Sequence, residues 1–238
     1  MRCAVIQFAG SSGDGDCFHV CKNILNKAVE FVFYKESFAP EDFDLIILPG
    51  GASHGDYLRP GALAARSKVM KSVIEAAKAK KLVLGIGNGF QILLEVGLLP
   101  GAVLMNKGLK FFCDDVFVRV ENPDTPFTAL YKKGEIIRMP LACKYGNYYA
   151  DGETIKGLKA DNKIVFSYCD EKGNSTFESN PTGSIENIAG IVNSEGNVLG
   201  LMPHPERCAE ELLGNTDGLR IFESVVRYIE GGKANGRS

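Results

Sequence analysis

Along the first part of the chain, apolar and polar positions alternate in the rhythm of short strands followed by helices. Residues 2–8 form a brief β run that ends in the polar glycine turn Gly10-Ser11-Ser12-Gly13-Asp14-Gly15-Asp16. Asp16 is placed to cap a helix reaching about Asn26, with Val20, Ile24 and Leu25 on one face. Residues 29–34 read as a second strand. Residues 44–48 read as a third, nearly all apolar as a strand covered on both faces must be, and it stops at Pro49-Gly50-Gly51. Residues 63–80 carry helical periodicity and good helix formers. They lead into an apolar strand over 81–86 and a further helix beginning near Phe90. Such alternation predicts an α/β fold with a mostly parallel sheet, helices on both faces, and a ligand site at the carboxyl ends of the strands.

Beyond about Gly101 the pattern changes. Runs at 116–120, 135–139, 147–150, 164–168, 188–193 and 197–202 are β-like with little helix between them, which predicts antiparallel additions in the second half. Glu195-Gly196-Asn197 reads as the hairpin turn between the last two runs. Residues 170–184 are polar and glycine-bearing and read as an exposed loop. A last amphipathic helix near 216–229 places Leu219, Phe222, Val225, Val226 and Ile229 on one face. No repeat and no linker interrupts the chain, so residues 1–230 read as one domain and 231–238 as a disordered tail.

Composition narrows the function classes. With 45% hydrophobic and 24% charged residues the chain is an ordinary globular protein, long enough at 238 residues for a substantial core. A formal net charge of -2 gives no reason to expect a nucleic-acid or membrane surface. No apolar run approaches the ~18 residues that a membrane span needs. The 7 cysteines lie without CxxC pairs or ligand spacing, which argues against zinc and for reduced thiols. Together with the lack of a basic-apolar leader at Met1, this points to the cytoplasm.

Two segments carry chemistry. Leu82-Val83-Leu84-Gly85-Ile86-Gly87-Asn88-Gly89-Phe90-Gln91 has the shape of a nucleophile elbow, an apolar strand entering a helix through a tight glycine turn. Glycines flank the crest because a side chain there would strike neighbouring backbone. The crest itself, where such a design needs Ser or Cys, is Gly87. The N–H of Asn88 is one donor for a tetrahedral oxyanion, and the N–H of Gly51, after the neighbouring strand, is a second. Met202-Pro203-His204-Pro205-Glu206-Arg207 supplies a base and a carboxylate. The two prolines bias this segment toward extended backbone, in which residues i and i+2 project to one side, so Glu206 is placed to orient the His204 imidazole. A His so held takes a proton from a nucleophile and returns it to the departing group.

Taken alone, a glycine-rich strand-to-helix turn is more often a packing feature or a phosphate loop, and Pro-His-Pro-Glu alone is a rigid surface turn. Their combination with further strings changes the balance. Leu48-Pro49-Gly50-Gly51, Gly55-Asp56-Tyr57-Leu58-Arg59-Pro60-Gly61-Ala62, Asn88-Gly89-Phe90-Gln91-Ile92-Leu93, Leu98-Leu99-Pro100-Gly101, Gly183-Ser184 and Ile188-Ala189-Gly190-Ile191 complete a set over residues 1 to about 230. With these strings the chain resembles the glutaminase subunits of phosphoribosylformylglycinamidine synthases, class I glutamine amidotransferases of purine biosynthesis with a flavodoxin-like fold.

The resemblance implies a Cys-His-Glu triad releasing ammonia from glutamine. It also implies a larger synthetase subunit that receives the ammonia and holds ATP and Mg, a small accessory subunit, and no cofactor on this chain. Residue by residue, Gly87 occupies the nucleophile's position, His204 and Glu206 match the base and its carboxylate, and Gly51, Asn88 and Gln91 fall at oxyanion and substrate-binding positions. Two segments depart from the pattern. Ser11-Ser12-Gly13-Asp14 stands where the family commonly has Ser-Asn-Cys-Asp, and Cys143-Lys144-Tyr145-Gly146 where it commonly has His-Gly-Glu-Gly. Cys143 is the one thiol within a family motif, yet no elbow surrounds it. His19 and His54 have no partner pattern, although His54 follows the Gly50-Gly51 turn toward the pocket. Arg59 and Arg66 read as a solvated helix face, with docking of a partner as the alternative. Three function classes remain: a glutaminase subunit lacking its nucleophile, a non-catalytic paralogue that binds a partner or a small amide, and, with less behind it, a related α/β hydrolase using another nucleophile.

Overall fold

In the computed structural model, which describes residues 1–234, β1 (Arg2–Gln7) lies between two parallel neighbours, β2 (Ala28–Phe33) and β3 (Leu45–Leu48). β4 (Leu82–Ile86) continues the parallel sheet beside β3, and β11 (Val198–Leu201) pairs with β4 in the same sense. From β11 outward the sheet is antiparallel, through β10 (Ile188–Val192), β9 (Ile164–Cys169), β6 (Phe112–Val120) and β7 (Ile136–Cys143). The order is β2-β1-β3-β4-β11-β10-β9-β6-β7, one sheet of nine strands. Both sequence textures are therefore present, the α/β first half and the antiparallel second half, fused at β11. All four residues of β3 and all five of β4 are buried, in keeping with strands covered on both faces. The hairpin between β10 and β11 turns at Gly196, at φ +77°.

The helices differ from the sequence expectation in instructive ways. α1 spans Asp14–His19 and is preceded by Gly13, with no side-chain cap. Asp16 lies inside the helix rather than capping it. The chain then continues as a π-helical turn, Val20–Ile24, and closes at Asn26 at φ +51°. α2 is shorter than the 63–80 periodicity suggests. A 3-10 turn at Ala64–Arg66 comes first, Ser67 turns extended while its Oγ donates to the Ala64 carbonyl at 2.6 Å, and only Val69–Lys78 is α-helical. Such a local side-chain bond offers the backbone an alternative to helix. α3 (Asn88–Glu95) begins directly after β4, before Phe90.

One helix was not expected. α4 (Gly152–Ala160) is capped by Asp151, whose carboxylate accepts from the Thr154 N–H at 2.8 Å, and it buries Ile155 and Leu158. A small separate sheet pairs β5 (Ala102–Leu104) with β8 (Asn147–Tyr149), so the 147–150 run lies outside the main sheet. The loop over 170–184 is exposed in its first part only. Asn180, Thr182 and Ser184 are buried, and Asn180 Nδ2 donates to the Ser184 carbonyl. α5 (Leu219–Ala234) carries the helix past residue 230, so 231–234 are helical where a disordered tail was expected. The remainder of that tail, 235–238, lies outside the described residues. No helix among the described residues is long and apolar enough to cross a membrane.

Candidate active site

The site forms at the carboxyl ends of β1, β3, β4 and β11, where the parallel half of the sheet releases its loops. β4 passes into α3 through Gly87 at φ +52° and ψ -106°. The Gly87 N–H is held by the Leu201 carbonyl at 2.8 Å, so β11 fixes the crest from one side. Asn88 is the first residue of α3, where backbone N–H groups have no partner within the helix and the helix dipole is positive.

His204 stands over this crest. Its backbone N–H donates to the Pro140 carbonyl at 2.7 Å, which ties the segment after β11 to β7. Its Nδ1 lies 2.7 Å from Glu206 Oε1, with side chains 3% and 0% exposed. Glu206 arrives there by a route other than the extended chain that the two prolines predict. Pro205–Arg207 is a single 3-10 turn, not a continuation of extended chain, and the turn swings the carboxylate back under the imidazole. The ring also packs on the main chain: a Cβ on Gly50 would come 2.5 Å from His204 Cε1. A Cβ on Gly87 would lie 3.1 Å from His204 Cε1 and 3.3 Å from Nε2. The crest thus faces the nitrogen that Glu206 does not occupy.

Gly51 lies across the site at φ +140°. It forms a bridge with Ser11 whose two hydrogen bonds run from Ser12 N–H to Gly50 O and from Ala52 N–H to Gly10 O. The Gly51 N–H takes no part in the bridge and stays available. Only glycine fits, because a Cβ would come 2.5 Å from the Gly10 oxygen and 2.7 Å from the Ser12 nitrogen.

Asn88 and Gln91 tie the surrounding loops to α3. Asn88 Oδ1 accepts from the Ser53 N–H at 3.1 Å, and its Nδ2 donates to Asp56 Oδ1 at 3.3 Å and to Gln91 Oε1 at 2.8 Å. Gln91 Nε2 donates to the Tyr145 carbonyl at 2.6 Å. Both ends of the Gln91 amide are therefore engaged with protein, so its present geometry is that of a brace between α3 and the 143–146 segment.

These groups surround a cavity of about 330 Å³ whose wall includes Ser12, Gly51, Asp56, Gly87, His204 and Arg207. Cys143, Lys144 and Tyr145 complete the wall from the antiparallel half. Cys143 is buried, and burial pushes its thiol up to about 12, the opposite of what a thiolate nucleophile requires. His54 is not part of the wall. Its ring packs against Tyr34 at 5.0 Å and Phe8 at 6.5 Å. His19 lies 3.3 Å from Glu210, away from the cavity. Arg59 reaches Glu95 of α3 with two bonds of 2.7 Å. Asp56 is a wall residue that the sequence motifs do not assign to the site. Its signal was present in the Gly55-Asp56-Tyr57-Leu58-Arg59 string directly after the Gly51 turn.

Comparison with known proteins places the chain in a family. Residues 1–229 match the family model of the CobB/CobQ-like glutamine amidotransferase domain. The chain is 54% identical over 230 residues to a protein of Pseudothermotoga lettingae named phosphoribosylformylglycinamidine synthase subunit PurQ, covering 97% of each chain. It is 51% identical to a protein of the same name from Methanosarcina barkeri, covering 96% of this chain and 98% of that one. Among solved structures, a chain of PurLQS from Thermotoga maritima superposes with a TM-score of 0.84 at 44% identity, over 96% of this chain and 98% of that chain. A second Thermotoga maritima protein, a glutamine amidotransferase at 18% identity and a TM-score of 0.57, shares the fold alone, over 99% of this chain and 83% of that chain. The chain belongs to the CobB/CobQ-like glutamine amidotransferases, in the family of the PurQ subunits of phosphoribosylformylglycinamidine synthase.

Proposed function

We propose that this chain is the glutaminase-type subunit of a phosphoribosylformylglycinamidine synthase in purine biosynthesis, and that with Gly87 at its crest it binds glutamine without hydrolysing it. The carrying observation is the position of a Cβ at Gly87, 3.3 Å from the Nε2 of a His204 already held through Nδ1 by Glu206. A thiol on that carbon would meet its base. His204 would take its proton, and the sulfur would attack the glutamine amide carbon. The oxyanion would fall to the N–H groups of Gly51 and Asn88. Returning the proton to nitrogen would expel ammonia and leave a γ-glutamyl thioester for water to cleave. Gly87 offers no atom for that bond, while the oxyanion donors and the base remain.

In this reading the ammonia passes to a larger synthetase subunit that carries ATP and Mg²⁺, with a small accessory subunit completing the assembly, as the PurLQS relative suggests. The α/β architecture and free cysteines fit a cytoplasmic complex. A second reading, a non-catalytic subunit that binds a partner or a small amide, is favoured by Cys143-Lys144-Tyr145 lining the same cavity in place of the family's usual residues.

Ammonia release under saturating glutamine separates the two. It is measured on the chain and on Gly87→Cys, each with and without the synthetase subunit. We expect no turnover by the chain as it stands and turnover by Gly87→Cys in the complex. Turnover without the substitution would refute the role of Gly87, and an inert Gly87→Cys complex would establish the non-catalytic reading.

A further inference from the structure

Gly87, His204 and the oxyanion donors deal with only one end of glutamine. The other end carries an ammonium and a carboxylate on one carbon, and a partly enclosed cavity that selects it must match both charges. Three residues of the wall are candidates by charge: Asp56, Lys144 and Arg207. Arg207 is already engaged, with its Nε 3.5 Å from Asp16 and 3.9 Å from Glu206.

Asp56 and Lys144 are different. Asp56 accepts one long bond, from Asn88 Nδ2 at 3.3 Å, and has no cationic partner among the described residues. Burial raises its carboxyl above the ordinary range, as expected for a charge that lacks its counter-ion. It is held at φ +53°, inside a run in which His54, Gly55 and Leu58 also have positive φ. Such strain persists where surrounding structure enforces it. Lys144 also has no ion pair among the described residues, and its ammonium lies 5.8 Å from the Tyr145 ring. A single hydrogen-bonded chain connects the two sides of the cavity, from Asp56 through Asn88 and Gln91 to the Tyr145 carbonyl beside Lys144. The loop after β3 and the end of β7 are thereby held at a set separation, with one unpaired charge of each sign on the cavity wall.

We propose that Asp56 and Lys144 together recognise the zwitterionic head of an L-α-amino acid, Asp56 taking the ammonium and Lys144 the carboxylate, while the side-chain amide lies at Gly87. The inference rests on the glutamine reading above and adds the residues that set its specificity. Lys144 stands where the resembling subunits commonly have glycine, so the carboxylate contact is a property of this chain. Simple amides without the charged head are then poor ligands despite an intact oxyanion site.

The test is calorimetry on the full chain assembled with its synthetase subunit. The ligands are L-glutamine, glutaramic acid, which lacks the ammonium, and 4-aminobutanamide, which lacks the carboxylate. Asp56→Asn keeps the size and the αL tolerance of the residue, and Lys144→Met alters an exposed side chain, so neither endangers the fold. Asp56→Asn is expected to weaken L-glutamine about tenfold or more while leaving glutaramic acid unchanged. Lys144→Met is expected to weaken L-glutamine by a similar factor and leave 4-aminobutanamide unchanged. In the Gly87→Cys background the same changes should raise KM for glutamine with kcat held. The proposal is overturned if L-glutamine binds normally to both variants, or if each variant weakens the whole and truncated ligands alike. Failure of the underlying reading has another signature: neither the chain nor Gly87→Cys binds glutamine in the complex, which removes this proposal with it.

Discussion

Gly87 combines a backbone conformation hostile to side chains with a location that demands one for catalysis. At φ +52° and ψ -106° an L-residue is strained by ~1–3 kcal/mol, and a Cβ would also press on His204 at 3.1 Å. Gly87→Cys is therefore expected to melt a few degrees lower than the parent in differential scanning calorimetry. A clear rise in Tm would mean that the turn is not an elbow. Asp56 makes a second prediction at this scale. Burial raises its carboxyl, so the folded state binds that proton more tightly than the unfolded chain does. The ionised form is thus the destabilised one, and stability falls as pH rises through the interval from the ordinary Asp range up to the raised value. Asp56→Asn should raise Tm at neutral pH, and the gain should shrink below pH ~4, where Asp is protonated in both states. An equal gain at both pH values would assign it to backbone preference instead. Gly87, Asn88 and His204 on the cavity wall, and Glu206 behind His204, each belong to a contiguous motif, which is why the sequence alone points to them. The pairing of Asp56 with Lys144 is not legible in this way, since residues so far apart in sequence share a wall only after the sheet has closed.

Among the elements, α3 sets the tolerance of the whole site. It lies so close to the parallel strands that a Cβ on Gly89 would overlap the Leu48 carbonyl, and one on Gly200 of β11 would overlap the Phe90 ring. Overpacking typically costs about 1–3 kcal/mol, and a backbone neighbour cannot swing aside as a side chain can. Gly89→Ala is expected to lose at least that much stability in urea unfolding, with an unchanged m-value if two-state behaviour holds. A neutral result would show that α3 does not pack as described. Strand periodicity marked most of the sheet, including the run of antiparallel strands, because burial on two faces or one imposes the pattern directly. Helix ends were harder to read. Ser67 looks like a helix residue by periodicity, yet its hydroxyl bonds the chain three residues back. α4 hides in a polar stretch whose only clear signals are the Asp151 cap and the Ile155 and Leu158 spacing. The 3-10 turn that delivers Glu206 has Pro205 at its first position, a use of proline that competes with the extended one.

At the scale of the molecule, the cavity exists because two halves of different texture share one sheet. The parallel half supplies the elbow, the Gly51 turn and Asp56, while β7 supplies Cys143 and the 144–146 segment follows it. The cavity wall is therefore sensitive to whatever packs over the loops, and Tyr57 and Leu58, beside Asp56, are 73% and 79% exposed. Glutamine is expected to bind measurably to the complex with the synthetase subunit and weakly to the isolated chain, as titration calorimetry on each would show. Equal affinity in both would mean that the cavity is complete without a partner. The most direct test of the central claim, that this chain keeps a glutaminase frame around a missing nucleophile, is intact-mass analysis with peptide mapping. The Gly87→Cys complex is mixed with L-glutamine and quenched in acid. The account predicts one γ-glutamyl adduct, carried on the introduced thiol and lost when His204→Ala is added, with none on the parent chain. Absence of any adduct on Gly87→Cys, or an adduct on Cys143 of the parent, would contradict it.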